Sequence, residues 1–291
     1  MSKTIRLYYP IPKFPSVSVT GEGCELQCSH CRGHYLQHMP DVSTPEKLKE
    51  FCVRHEAGGG VGLLISGGST KLGRVPLEPF LDTMRWVKDN TGIILNLHTG
   101  MLSRDEAEAV AATGVDIVSV DLVGSDDTLR MVYGLDTDVT EYGATLQNLV
   151  DGGANVAPHV CVGLHYGEVK GESRAIELAS EVKPEAVVFI SLIPTADTPM
   201  AEVRPPSVED VEELIKEAVD ICKGSDISLG CMRSRGYKTE LEWAAIKAGA
   251  KRVALASRRT EKRVLEAGYR VEKLDSCCAT PRSFDDRLLR V

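Results

Sequence analysis

The chain has 291 residues, 43% of them hydrophobic, and a formal net charge of -8, a size and composition suited to a single α/β barrel with one large core. Its acidic balance argues against extended phosphate-backbone contacts, so nucleic acid is not an expected partner. No apolar run approaches the ~20 residues that span a bilayer, and Met1 to Lys13 shows no signal-peptide pattern, so a cytoplasmic protein without membrane attachment is expected, in which nine cysteines point to metal or redox chemistry before disulfides.

Along the chain, short β-branched runs alternate with amphipathic segments. Phe14 to Thr20 reads as a first strand, followed by a cysteine loop and a helix over Ser43 to His55, with Ser43 or Thr44 as N-cap and Pro45 in the first turn. Strands follow at Gly62 to Ser66, Ile93 to Leu97 and Asp116 to Leu122, with helices at Leu77 to Asn90, Arg104 to Ala112 and Tyr142 to Asp151. The pattern continues with strands at Val156 to Leu164, Ala186 to Ile193, Asp226 to Met232 and Arg252 to Ala256. Their helices are Glu172 to Val182, Val208 to Cys222, Thr239 to Ala248 and Thr260 to Ala267. Roughly eight such units predict an α/β fold of the (β/α)8 TIM type over residues 1–274. An open doubly wound sheet would call for a G-x-G-x-x-G after the first strand, and there is none. Residues 275–291 form a tail that lies outside the repeat and carries its own cysteines.

In such a barrel, reactive groups sit on loops at the C-terminal ends of the strands. Cys24 to Cys31, Gly67-Gly68, His98, Asp121, His165 and Cys231 all fall at such ends and are expected to share one mouth. The first loop reads Gly23-Cys24-Glu25-Leu26-Gln27-Cys28-Ser29-His30-Cys31, a C-x3-C-x2-C spacing. Thiolates favour iron–sulfur clusters and zinc. Three cysteines leave one iron of a cubane without a protein ligand, whereas a cubane closed by protein alone needs four. The rival is a Cys3His zinc site using His30, but its place directly between two ligands is awkward for closing the same tetrahedron.

This motif, directly after the first strand, resembles the radical S-adenosylmethionine (SAM) superfamily. The resemblance implies a [4Fe-4S] cluster held by Cys24, Cys28 and Cys31, with SAM on the open iron as the source of a radical that removes hydrogen from unactivated carbon. It also implies that Gly67, Gly68 and Ser69 receive the amino group of SAM, although the family's acidic residue after the glycines is Ser69 or Thr70 here. Ser119 and Asp121, two apart on one strand and so on one face, correspond to ribose contacts. Gly163 is a close-approach position near the adenine. His98 is open to a substrate role or to that of a hydrogen-bonded mouth residue, and His159 reads as a satisfied barrel-interior histidine.

Cys52 and Cys222 read as buried structural thiols, and Cys161 stays open between roles. Cys231 ends the seventh predicted strand, and Cys277-Cys278 lies in the tail. A tail folding over the mouth would gather these three as ligands of a second [4Fe-4S] cluster. The whole is similar to the biotin-synthase-related branch, and within it to the subunits of the archaeal two-protein lipoyl synthase. Shared features are the Phe14-Pro15-Ser16-Val17-Ser18-Val19-Thr20-Gly21 run, Cys231-Met232-Arg233 and the C-terminal cysteines. That resemblance implies sulfur insertion into a C–H bond of an octanoyl chain on a carrier protein or peptide, with a second radical SAM protein as co-worker. It also implies an electron donor such as ferredoxin or flavodoxin. Arg282-Ser283 is similar to the Arg-Ser end of bacterial lipoyl synthase and makes Ser283 a candidate fourth ligand. The alternatives are a radical SAM methylase or another carbon-radical enzyme of cofactor biosynthesis, and a non-catalytic zinc- or cluster-binding partner protein.

Overall fold

The protein is seen in a computed structural model that describes residues 3–290. Ten parallel strands form one sheet: β1 (Thr4–Tyr8), β2 (Ser16–Ser18), β3 (Gly62–Ser66), β4 (Ile94–His98), β5 (Ile117–Leu122), β6 (Val156–Val162), β7 (Ala186–Ser191), β8 (Asp226–Leu229), β9 (Arg252–Ala254) and β10 (Arg270–Leu274). The helices are α1 (Pro45–Ala57), α2 (Leu81–Asn90), α3 (Arg104–Ala111), α4 (Asp126–Thr128), α5 (Thr140–Asp151), α6 (Glu172–Glu181), α7 (Val208–Ile221), α8 (Lys238–Ala248), α9 (Arg258–Glu266) and α10 (Asp285–Leu288). Their starts follow local chemistry. Thr44 caps α1 by accepting the Lys47 N–H, with Pro45 in the first turn, and Ser103 and Ser207 form capping boxes with Glu106 and Asp210.

The eight strands expected from the sequence are β2 to β9, and they wind in chain order as a TIM-type barrel does. Two further strands were not expected. β1 pairs with β9, and β10 pairs with β1, so β2 and β10 bound the sheet. The sheet curls far enough for Tyr8 of β1, Phe14 ahead of β2 and Leu274 of β10 to share one buried cluster. Side chains thus fill the seam where a closed barrel has a backbone ladder.

Strand alternation divides the core in two. Leu95, Leu97, Val118, Val187 and Phe189 face outward to the helices, whereas Ile94, Ile117, Ala157 and Val188 face the barrel interior. Among the described residues, no helix is long and apolar enough to cross a membrane.

The tail does not fold over the mouth. Cys278 and Ala279 pack on Ile94, Ile117, Ala157 and Val188, near the N-terminal ends of their strands, so the tail is the barrel floor. The cause is Arg252, the first residue of β9, which is completely buried. Its guanidinium donates to Asp226 at 3.0 Å, to Glu185 at 2.6 Å, and to the carbonyls of Cys278 and Thr280 at 3.2 and 2.7 Å. Arg282 adds a second pair to Asp226, and its backbone N–H reaches Glu185 at 2.7 Å. Burial alone would raise the Asp226 pKa, but the Arg282 hydrogen bond and the Arg252 charge outweigh it and hold the carboxyl below its usual range. The stabilisation this gives is present above the ordinary carboxylate pKa and is lost as pH falls through the lowered value.

Replacing Arg252 by Ala strips a buried charge partner and should cost on the order of 3 kcal/mol, whereas Arg282→Ala at the solvent edge should cost ~1 kcal/mol or less. Anaerobic urea denaturation of both variants checks the ranking. Equal losses would mean that Arg252 is not the anchor of the floor.

Candidate metal centre

The cysteine loop after β2 is stitched to the turn after β3. Thr20 Oγ1 donates to the Gly23 carbonyl at 2.8 Å and accepts the Gly68 N–H at 2.7 Å. The Ser69 carbonyl accepts the Glu25 N–H at 2.9 Å and the Cys24 thiol at 3.8 Å. A Cβ at Gly68 would stand 1.9 Å from the Gly23 oxygen and 2.6 Å from the Cys24 Cα. Only glycine permits this approach, so the Gly-Gly pair has a packing reason of its own, and the Ser69 carbonyl is occupied in holding the loop.

Within the loop, Cys28 is buried, and Cys24 and Cys31 are half-buried. Ligand atoms of Cys28, His30 and Cys31 lie within 4.8 Å of one another. The Cys31 thiol is lowered to about 4: a hydrogen bond from Cys28 outweighs burial, and His30 adds to it, while the same contact and burial push Cys28 up. Gln27 and Arg32 take positive φ, 50° and 44°, so strained backbone presents these thiols. His30 Nδ1 is buried without a hydrogen-bond partner, and its ring lies 5.6 Å from that of Tyr133. The sequence makes His30 awkward as a ligand beside its neighbours, yet the fold brings it within reach of two of them. The donor set, thiols on one strained loop with one readily ionised, fits an iron–sulfur cluster. Cys24 lies on the same loop, but its Sγ turns to Ser69.

Inside the barrel, Asp121 is exposed although it lies on a strand, so it lines an open lumen. Ser119 points the same way but is only 1% exposed, and its hydroxyl donates to Asn96 Oδ1 at 2.9 Å. His159 Nδ1 hydrogen-bonds the Ala157 carbonyl at 2.8 Å, and His98 meets it edge-on at 5.7 Å. Burial, and then the His98 charge, lower His159 to about 4 against the pull of Asp121. Gly163, at φ +75°, makes its close approach to Pro206, whose ring would lie 2.8 Å from a Cβ.

The second cysteine group spans the lumen and the floor. Cys231 is solvent-accessible, yet enough protein surrounds it that burial, followed by the Cys278 charge, pushes its thiol up to about 11. Cys278 is lowered to about 7, its hydrogen bond from Cys277 outweighing burial, with help from Ser228 and the charge of Arg252. Cys277 also feels the charge of Cys231, so the three thiols lie within electrostatic range of one another. Asn96 Nδ2 donates to Cys277 Sγ at 3.8 Å. Around them, the buried hydroxyls of Tyr8 and Thr280 lack hydrogen-bond partners. Ser283 is not brought there: it is exposed beyond the Arg282 anchor, because the chain leaves the barrel at Pro281. Asn96 and Ser228 were missed by sequence reading. The signal for Asn96 was a polar residue at an inward position in the middle of β4, flanked by Leu95 and Leu97.

A family model described as the radical SAM superfamily matches residues 18–197. This chain belongs to the radical SAM superfamily. Membership makes it a radical SAM enzyme and implies a [4Fe-4S] cluster with SAM. A search of curated proteins by sequence finds no match. Among solved structures, the FeFe-hydrogenase maturase HydG from Carboxydothermus hydrogenoformans superposes with a TM-score of 0.66 at 14% identity, over 96% of this chain and 70% of its own. Methylornithine synthase (PylB) gives 0.62 at 15%, over 92% and 83%. SuiB of Streptococcus suis, bound to S-adenosylmethionine, gives 0.57 at 12%, over 91% and 58%. Another HydG structure is spanned for only 64% of its length. At these identities the likenesses show the fold alone. Cys231, Cys277 and Cys278 lie outside the stretch that the family model matches.

Gly68→Ala should displace the cysteine loop and lower iron after anaerobic reconstitution by about the four irons of one cubane. Gly143→Ala, whose methyl meets only the flexible tip of Leu178 at 3.0 Å, should keep full iron. Full iron in Gly68→Ala would show that the loop can be held without this approach.

Proposed function

We propose that this radical SAM enzyme inserts sulfur into an unactivated C–H bond of a protein-bound octanoyl chain, as a lipoyl synthase does. The observation that carries the reading is that Cys231, just past the end of β8, and Cys277 and Cys278, from the floor, lie within electrostatic range of one another. Cys24, Cys28 and Cys31 would hold the SAM cluster, and the three inner cysteines a second [4Fe-4S] cluster. Bound there, the two groups supply a hydrogen-abstracting radical and a sulfur donor.

The chain's own residues do the rest. Asp121 offers a carboxylate to the lumen for ribose hydroxyls. Gly67 and Gly68 let the cysteine loop lie against β3, with Gly163 at the far wall. Ile94, Ile117, Ala157 and Val188 form an apolar layer beneath which the tail packs, closing the floor side to water. An octanoylated carrier protein or peptide, a second radical SAM protein and a ferredoxin or flavodoxin electron donor complete the proposal.

Anaerobically reconstituted wild type should hold about eight irons, and the triple variant Cys231→Ala, Cys277→Ala, Cys278→Ala about four. With SAM, reductant and an octanoyl-carrier peptide, the wild type alone should give thiolated product by mass spectrometry. About four irons in both would remove the sulfur-donor reading and favour a methylase or another carbon-radical reaction.

A further inference from the structure

We infer that Asn96 is a positioning residue that sets the reduction potential of the inner cluster by hydrogen-bonding the sulfur of Cys277. The inference rests on the reading of Cys277 as a cluster ligand and adds to it a residue outside the cysteine set. Asn96 is completely buried at the middle of β4, on the inward face between Ile94 below and His98 above. A side-chain amide in that place must find partners on both ends. Its oxygen accepts the Ser119 hydroxyl at 2.9 Å, and its nitrogen donates to Cys277 Sγ at 3.8 Å. With Oδ1 on the Ser119 hydroxyl, Nδ2 is the end of the amide that faces Cys277. Ser119, on β5, is itself only 1% exposed, so the relay from β5 through β4 to the floor is sheltered from water.

An N–H aimed at a ligating sulfur withdraws electron density. It favours the reduced, more negative state of a cluster and raises its potential. Cys277 belongs to a tail held by Arg252 at the neighbouring Cys278 carbonyl, so the thiol cannot easily leave the amide. The same two strands carry His98 and Asp121 two residues further on. Asn96 and Ser119 therefore sit directly between the lumen and the floor.

The test uses the full chain with Cys24, Cys28 and Cys31 changed to Ala, so that only the inner cluster is reconstituted. That parent should bind about four irons. Adding Asn96→Ala should leave the iron in place, lower the midpoint potential in an EPR-monitored redox titration and change the EPR g-values. Adding Ser119→Ala, which frees the amide to rotate, should shift the potential in the same direction by less. An unchanged potential and spectrum in Asn96→Ala with iron retained would overturn the inference while leaving the cluster standing. A parent without iron would overturn the cluster reading and this inference with it. Should Asn96→Ala lose its iron, the Ser119→Ala potential decides.

Discussion

A fully buried arginine holds this barrel's floor in place. Arg252 begins β9, faces inward, and joins acids from the feet of β7 and β8 to two carbonyls of the tail. A buried guanidinium is costly unless nearly all its donors are used, and here the tail's backbone supplies the acceptors that Asp226 and Glu185 leave open. Once that bond set forms, Cys277 and Cys278 have no freedom to lie elsewhere. The position of two thiols is thus fixed by an ion-pair network that contains neither of them.

At the other end of the barrel the controlling contact is steric. Gly68 meets the backbone of Gly23 and Cys24 so closely that no side chain fits. Thr20 and Ser69 then tie the same segments by hydrogen bonds. One thiol of that loop, Cys31, is held below its usual pKa by its contacts with Cys28 and His30. The two ends follow different logics: backbone contact at the mouth, buried charge at the floor. The lumen between them carries the groups, Asp121 above and Asn96 below, that no packing argument requires.

Much of this was legible in the sequence because it is local. The apolar runs of β2 to β9 and the capped helices between them follow from period and end signals, and the three cysteines of the mouth stand within eight residues of one another. What was not legible depends on distant partners. β10, Arg-Val-Glu-Lys-Leu, carries three charges in five residues and reads as surface. Its Glu272 meets Arg6 of β1 at 3.2 Å and its Lys273 meets Glu261 at 2.5 Å. The tail's descent to the floor rests on Arg252 pairing with groups far from it in the chain. Ser119 points where alternation puts it, yet Asn96 claims its hydroxyl, and no spacing rule foretells that. Ser283 was placed by likeness of two residues, and the path of the chain through Pro281 carries it outside.

The seam also has a consequence for solubility. A sheet that does not close leaves two edges, and an open edge is a template on which another chain can add a strand. Here β2 is met by Asp41 through a single bridge at Ser18, and β10 by Leu289 through one at Leu274. What remains free on β10 is short and flanked by Arg270, Glu272 and Lys273, charges that repel an incoming apolar strand. The segments that cap the edges therefore also guard this open barrel against edge-to-edge aggregation.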